Sequence, residues 1–115
     1  MAVGLRYGDP HGRVRGRLAE NISAPFSTGW LVLGVGPVTV TVEGNFAGLV
    51  HIRVSNSPVE EIPTGALSLK PEIGAGLTAK GYVEAEGQFQ WIAVEVETVT
   101  SGTIDQVNLL AGLPT

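Results

Sequence analysis

The fold is decided by residues 38–54, which read VTVTVEGNFAGLVHIRV. Valine and threonine alternate over residues 38–42, and the same two-residue period returns over residues 50–54, where His51 and Arg53 take the polar positions. Alternation of this kind is typical of a β-strand that is buried on one face only. These residues therefore predict two strands, each with one aliphatic face.

Two different connections would join these strands as a hairpin. A two-residue turn at Gly44 and Asn45 would move the aliphatic residues of the second strand to the threonine side. A five-residue loop at residues 44–48 pairs Val42 with Val50 and keeps all six aliphatic side chains on one face. Because burial of an aliphatic side chain contributes about 1.5–3 kcal/mol, we predict the longer loop.

Two further hairpins are predicted downstream. The first turns at a Gly-Gln dipeptide of the type II′ kind and places Val83 opposite Ile92. The second turns at residues 101–102 and places Val96 opposite Val107. The same aliphatic face then continues through consecutive strands.

Apolar residues recur with a period of two almost throughout the chain, and no useful length has helical spacing. Sixteen glycines and seven prolines indicate many turns between short strands, and 115 residues suit one domain with a single core. We therefore predict an all-β chain. Its expected architecture is a single antiparallel β-sandwich or jelly-roll domain with an extended N-terminal arm.

Charge is scarce and unevenly placed. Charged residues make up 16% of the chain, against a typical value of about 25%, which suits a surface partly covered by partners. Residues 1–20 carry four arginines and two acidic residues, whereas residues 21–115 carry three basic and nine acidic residues. We predict a basic arm at residues 1–20 and a β-sandwich domain at residues 21–115. The arm either reaches an acidic surface or is a solvated terminus.

Arginine alternates with smaller or apolar residues in the second half of this arm. The pattern predicts a short strand with Arg13, Arg15 and Arg17 on one face. Such a row either prevents edge-to-edge aggregation or docks on an acidic partner. Three arginines without interleaved aromatic residues, on an acidic protein, do not indicate nucleic-acid binding.

The sequence offers no constellation of catalytic or ligand-binding residues. The histidines are His11 and His51, without a spaced carboxylate partner, and His51 is expected to be a surface residue. Cysteine is absent, no glycine-rich loop opens onto a helix, and no apolar run approaches the length of a membrane helix. We therefore predict no catalytic residues, no cofactor, no metal and no membrane association, and we expect that the protein is not an enzyme.

Three aromatic residues are predicted to share the face opposite the aliphatic one: Tyr82, Phe89 and Trp91. They could stack against a sugar, form the centre of a protein interface, or be covered within the chain. The residues alone leave these three interpretations open.

Four stretches resemble small β-sandwich virion structural proteins of tailed bacteriophages, namely residues 29–30, 38–44, 48–55 and 100–103. These families are capsid decoration (cement) proteins and related head–tail accessory proteins, and the resemblance covers roughly residues 28–110. The acidic loop at residues 56–63 is shorter than the polar loop that many members have there.

The resemblance implies a non-enzymatic role in the virion, after synthesis in the host cytoplasm. It also implies a homo-oligomer, a trimer or a dimer, that binds the major capsid protein or other virion subunits and bridges them. The expected partner-binding residues are Arg13, Arg15, Arg17, Tyr82, Phe89 and Trp91. The alternative is a carbohydrate-binding or host-adhesion module of a phage head or tail.

Overall fold

A computed structural model describes residues 5–6, 13–58 and 60–112 of the chain. These residues form seven strands in one antiparallel sheet, so the all-β prediction is confirmed. The strands are β1 (Leu5–Arg6), β2 (Val14–Ile22), β3 (Phe26–Ser27), β4 (Leu31–Val35), β5 (Val38–Ser55), β6 (Gly81–Ala85) and β7 (Phe89–Ala111). A 3₁₀ turn covers Leu67–Leu69. In the described part of the chain, no helix has the length and apolar character needed to span a membrane.

Strands β5 and β7 form the centre of the sheet. They are 18 and 23 residues long and pair from Val38 opposite Ala111 to Ser55 opposite Trp91. The order of the main path is β1-β2-β7-β5-β6, and β3 and β4 pair with the first half of β7. A straight strand of 18 residues would be about 60 Å long, whereas the longest dimension of the molecule is 38 Å. Both long strands therefore bend strongly.

The predicted hairpin at residues 44–48 is wrong, because these residues lie inside β5. Val42 pairs with Val107 of β7 and not with Val50. Gly44 lies against β7, where a Cβ atom would be 2.5 Å from a backbone oxygen of that strand. The register between the two strands shifts at the same point. Glycine here allows two backbones to approach closely at a bend, whereas its place in the sequence suggested a turn.

The other two predicted hairpins are also wrong. Val83 lies opposite Val40, because β6 pairs with β5 and not with β7. Val96 and Val107 both belong to β7, which continues without interruption through the predicted turn at residues 101–102. A two-residue period specifies the face that a side chain takes, but it does not specify which strand lies alongside.

The predicted aliphatic face of residues 38–54 is confirmed. Its six members are all buried: Val38, Val40, Val42, Val50, Ile52 and Val54. They join aliphatic side chains of β2, β6 and β7 in one hydrophobic cluster, which includes residues from both halves of β5. The observed strand register differs from the predicted one. The predicted burial of these six side chains, on which the fold class was decided, is the same.

The predicted strand of alternating arginines is confirmed and extends to Ile22 as β2. It pairs with β7, and Leu18 and Ala19 have no exposed surface. The expected boundary between an arm of residues 1–20 and a body of residues 21–115 therefore falls inside β2, a strand that pairs with β7. The rest of the expected arm, residues 1–4 and 7–12, lies outside the described residues.

Candidate interaction surface

The strand register aligns two rows of side chains across β2, β7, β5 and β6, on the side of the sheet that faces away from the core. Members of a row are direct neighbours on adjacent strands, and most residues that flank them in sequence are buried. The first row is Arg15, Leu110, Thr39 and Glu84, and the second row is Arg17, Asn108, Thr41 and Tyr82. We call these eight residues the outer face.

Two large apolar side chains of the outer face are well exposed. Tyr82 is 62% exposed and Leu110 is 44% exposed. They lie two strands apart and one row apart, so the spacing of strands and of residues along a strand places them about 12 Å from each other. Arginine, threonine and asparagine side chains surround them. Exposed aromatic and arginine side chains in one patch are typical of protein interfaces, in which both are enriched.

Side-chain hydrogen bonds hold Arg17 in place on this face. Its Nη1 donates to Glu20 Oε2 at 2.9 Å, and its Nε donates to Asn108 Oδ1 at 3.4 Å. Asn108 in turn donates from Nδ2 to Gln106 Oε1 at 2.9 Å. Exposed ion pairs of this kind contribute little to stability. These contacts restrict the orientation of the Arg17 guanidinium.

The structure brings together three of the six predicted partner-binding residues. Arg15 and Arg17 share the outer face with Tyr82, because β6 lies at the far side of the same sheet. Arg13 immediately precedes β2, is partly buried, and lies outside the two rows. Leu110 also belongs to the face, although the sequence analysis did not select it. Leu110 directly follows Leu109, so the sequence does not show which of the two leucines faces outward. The pairing of β7 with both β2 and β5 places Leu110 between arginine and threonine.

The remaining aromatic residues lie elsewhere, so the predicted common face of three rings is wrong. Phe89 pairs with Val35 of β4 and packs against the core. Trp91 is buried, and its Nε1 donates to the backbone oxygen of Ser57 at 3.2 Å. Of the three interpretations of the aromatic residues, burial within the same chain applies to Trp91.

A second group of polar side chains lies on the other half of β5. We call it the charged cluster, and its members are His51, Arg53, Glu72, Glu95 and Glu97. His51 was expected to be a surface residue, but its side chain is only 12% exposed. The group could not be predicted from local patterns, because its members come from three separate stretches of the chain.

Hydrogen bonds and ion pairs in the charged cluster connect β5 to β7 and to the segment that contains Glu72. Arg53 is buried and donates from Nε to Glu95 Oε1 of β7 at 3.0 Å. Glu72 pairs along β5 opposite Arg53, and its Oε2 is 2.7 Å from Nδ1 of His51. The other ring nitrogen of His51 is 3.4 Å from Glu97 Oε1. A buried guanidinium needs such partners, because an unpaired buried charge is strongly destabilising.

The described residues contain no group of three or more histidine, aspartate or glutamate side chains that could hold a metal ion. Comparison of the chain with protein family models, with curated proteins and with solved structures found no match. The outer face therefore has to be interpreted from its own chemistry. It offers guanidinium donors, amide and hydroxyl groups, the carboxylate of Glu84 and two apolar contacts on a broad sheet surface, which together suit recognition of another protein.

Proposed function

We propose that the protein is a virion structural protein of a tailed bacteriophage, and specifically a capsid decoration (cement) protein that binds the outer shell and bridges its subunits. The observation that carries this proposal is the outer face, where Arg15, Arg17, Tyr82 and Leu110 are presented together on one sheet. The resemblance of residues 28–110 to such proteins supports the same role. The role is non-enzymatic, and the site of action is the virion.

The proposal includes the sandwich architecture. The sheet would fold over at the bends of β5 and β7, so that its two halves close on one core. The shared hydrophobic cluster and the short overall dimensions support this arrangement, because both ends of β5 contribute side chains to the cluster. A folded sheet presents the outer face as an exposed, rigid platform.

The partner surface follows from the chemistry of the outer face. The major capsid protein would present carboxylates to Arg15 and Arg17 and apolar side chains to Tyr82 and Leu110. Charge-assisted hydrogen bonds between guanidinium and carboxylate would set the orientation, and burial of the two apolar side chains would supply affinity. A copy whose outer face contacts two shell subunits at once would make two linked contacts, and their combined affinity would exceed that of either contact alone.

Co-sedimentation with undecorated, expanded shells of tailed phages tests this function. Leu110→Asp places a charge in the proposed contact, and we expect the apparent dissociation constant to rise at least about tenfold. Leu69→Asp is the matched control, because Leu69 is 82% exposed and lies on a loop away from the outer face. Equal loss with both variants, or no binding of the unaltered protein to any shell, would contradict the proposal.

The alternative role as a carbohydrate-binding or host-adhesion module now depends on Tyr82. Its ring is exposed and has Thr41 beside it and Asn108 one strand further along the same row, which is the arrangement of a stacking surface with polar neighbours. A glycan array separates the two functions. A glycan signal that disappears in Tyr82→Ala would favour sugar binding, and a blank array together with shell binding would favour decoration.

A further inference from the structure

Strand β6 ends the main path of the sheet. Residues Gly81–Ala85 pair with β5 on one side, and within residues 5–6, 13–58 and 60–112 no strand pairs with the other side. Tyr82 and Glu84 are exposed along it. An edge of this kind presents unpaired backbone N–H and C=O groups, which a strand from another molecule can complete.

The charges around this edge are complementary between two antiparallel copies of the chain. Lys80 and Glu86 flank β6 at equal distances from Val83, and both are exposed. In an antiparallel pair centred on Val83, Lys80 of one copy therefore lies opposite Glu86 of the other, and the same pair forms again across the two-fold axis. Tyr82 lies opposite Glu84 in the same way. No pair of like charges is created in this register.

Neighbouring registers are less favourable. A shift by two residues in one direction places Glu84 opposite Glu84 of the second copy, which is repulsive. A shift in the other direction pairs Lys80 with Glu84 but leaves Ala85 without a partner in the opposing strand. The centred register is the one that uses all five residues of β6 and joins both flanking charges.

We propose that the edge of β6 is a homodimer interface, in which a second copy of this chain adds its β6 in antiparallel orientation. The two sheets then form one continuous sheet across the two-fold axis. This proposal does not depend on binding to a viral shell. It has a consequence for that function, because the two outer faces lie side by side on the same surface and bind as a bivalent unit.

Analytical ultracentrifugation of the full chain over about 1–500 µM, a range that brackets the affinity expected of a small interface, tests the proposal. We expect a monomer–dimer equilibrium. Lys80→Glu turns both symmetry-related pairs from attractive to repulsive, so we expect the dissociation constant to rise about tenfold at low salt. Glu86→Lys should have the same effect, and the double variant that exchanges the two charges should restore the original value within about twofold.

Glu61→Lys is the matched control, because Glu61 is an exposed glutamate in a distant loop and the change in net charge equals that of Glu86→Lys. It should leave the dissociation constant unchanged. Circular dichroism of each variant checks that the sheet is retained. Four results would overturn the proposal: a monomer at every concentration, a trimer as the oligomer formed, single variants that dimerise like the unaltered protein, or a double variant that does not recover.

Discussion

Leu18→Ala truncates a side chain of β2 that has no exposed surface. This side chain belongs to the shared hydrophobic cluster, and β2 pairs with β7 on either side of it. If residues 1–20 were instead a separate arm, the same substitution would remove little buried contact. The variant therefore measures directly whether β2 is part of the folded body.

The expected magnitude follows from the burial. Truncation of a fully buried leucine to alanine costs about 2–5 kcal/mol, which combines the lost transfer free energy with the cavity left behind. Because Leu18 is fully buried, we expect the free energy of unfolding to fall by about 3 kcal/mol, within that range. In a chain of this size each kcal/mol lowers the melting temperature by about 3–5 °C, so a decrease of roughly 10–15 °C is expected.

Urea unfolding followed by circular dichroism gives the free energy of unfolding for both proteins. Leu69→Ala is the control, because the same substitution there changes an exposed side chain and should cost less than about 0.5 kcal/mol. A loss below about 1 kcal/mol for Leu18→Ala, or equal losses for the two variants, would refute the assignment of β2 to the core.

Three further substitutions test other parts of the structure in the same assay. Arg53→Met removes the cation that faces Glu95 and should lower the free energy of unfolding by about 3 kcal/mol; no loss would mean that the charged cluster is not formed. Gly102→Ala should cost about 2 kcal/mol or more, because φ is +75° and the new Cβ would collide with the backbone of β5; a neutral result would contradict the bend. Trp91→Phe removes the donor to the backbone oxygen of Ser57 and should cost about 1–2 kcal/mol, with a stabilised variant as the contrary result.

The faces of the strands could be predicted from the sequence, whereas the partners of the strands could not. Alternation placed Val40 and Ile52 in the core and Arg15 on the outside, because the pleat of a strand fixes the side that each residue takes. Pairing depends on which aliphatic strands fit together over long distances in the chain, and several valine-rich strands here have the same local pattern. Two glycines contributed to the wrong pairing, since Gly44 and Gly102 look like turn residues but lie inside continuous strands.

For the candidate site, too, single residues could be predicted from the sequence, whereas their arrangement could not. Arg15 and Arg17 could be selected from local alternation, and Tyr82 could be selected as an exposed aromatic residue. Their assembly into one face depends on β7 and β5 lying between β2 and β6. The charged cluster could not be predicted at all, because Arg53 finds its carboxylate 42 residues away in sequence.

The pairing of β5 with β7 assembles the outer face, and engineered disulfides test it most directly because the chain has no cysteine of its own. Thr41 lies opposite Asn108 in the structure, whereas the hairpin suggested by the sequence would place Thr41 opposite His51. We expect Thr41→Cys with Asn108→Cys to form an intramolecular disulfide on mild oxidation, since opposed residues of antiparallel strands lie about 4.5–5.5 Å apart at Cα. We expect Thr41→Cys with His51→Cys to keep two free thiols. Oxidation of the second variant and not of the first would contradict the register, and with it the outer face.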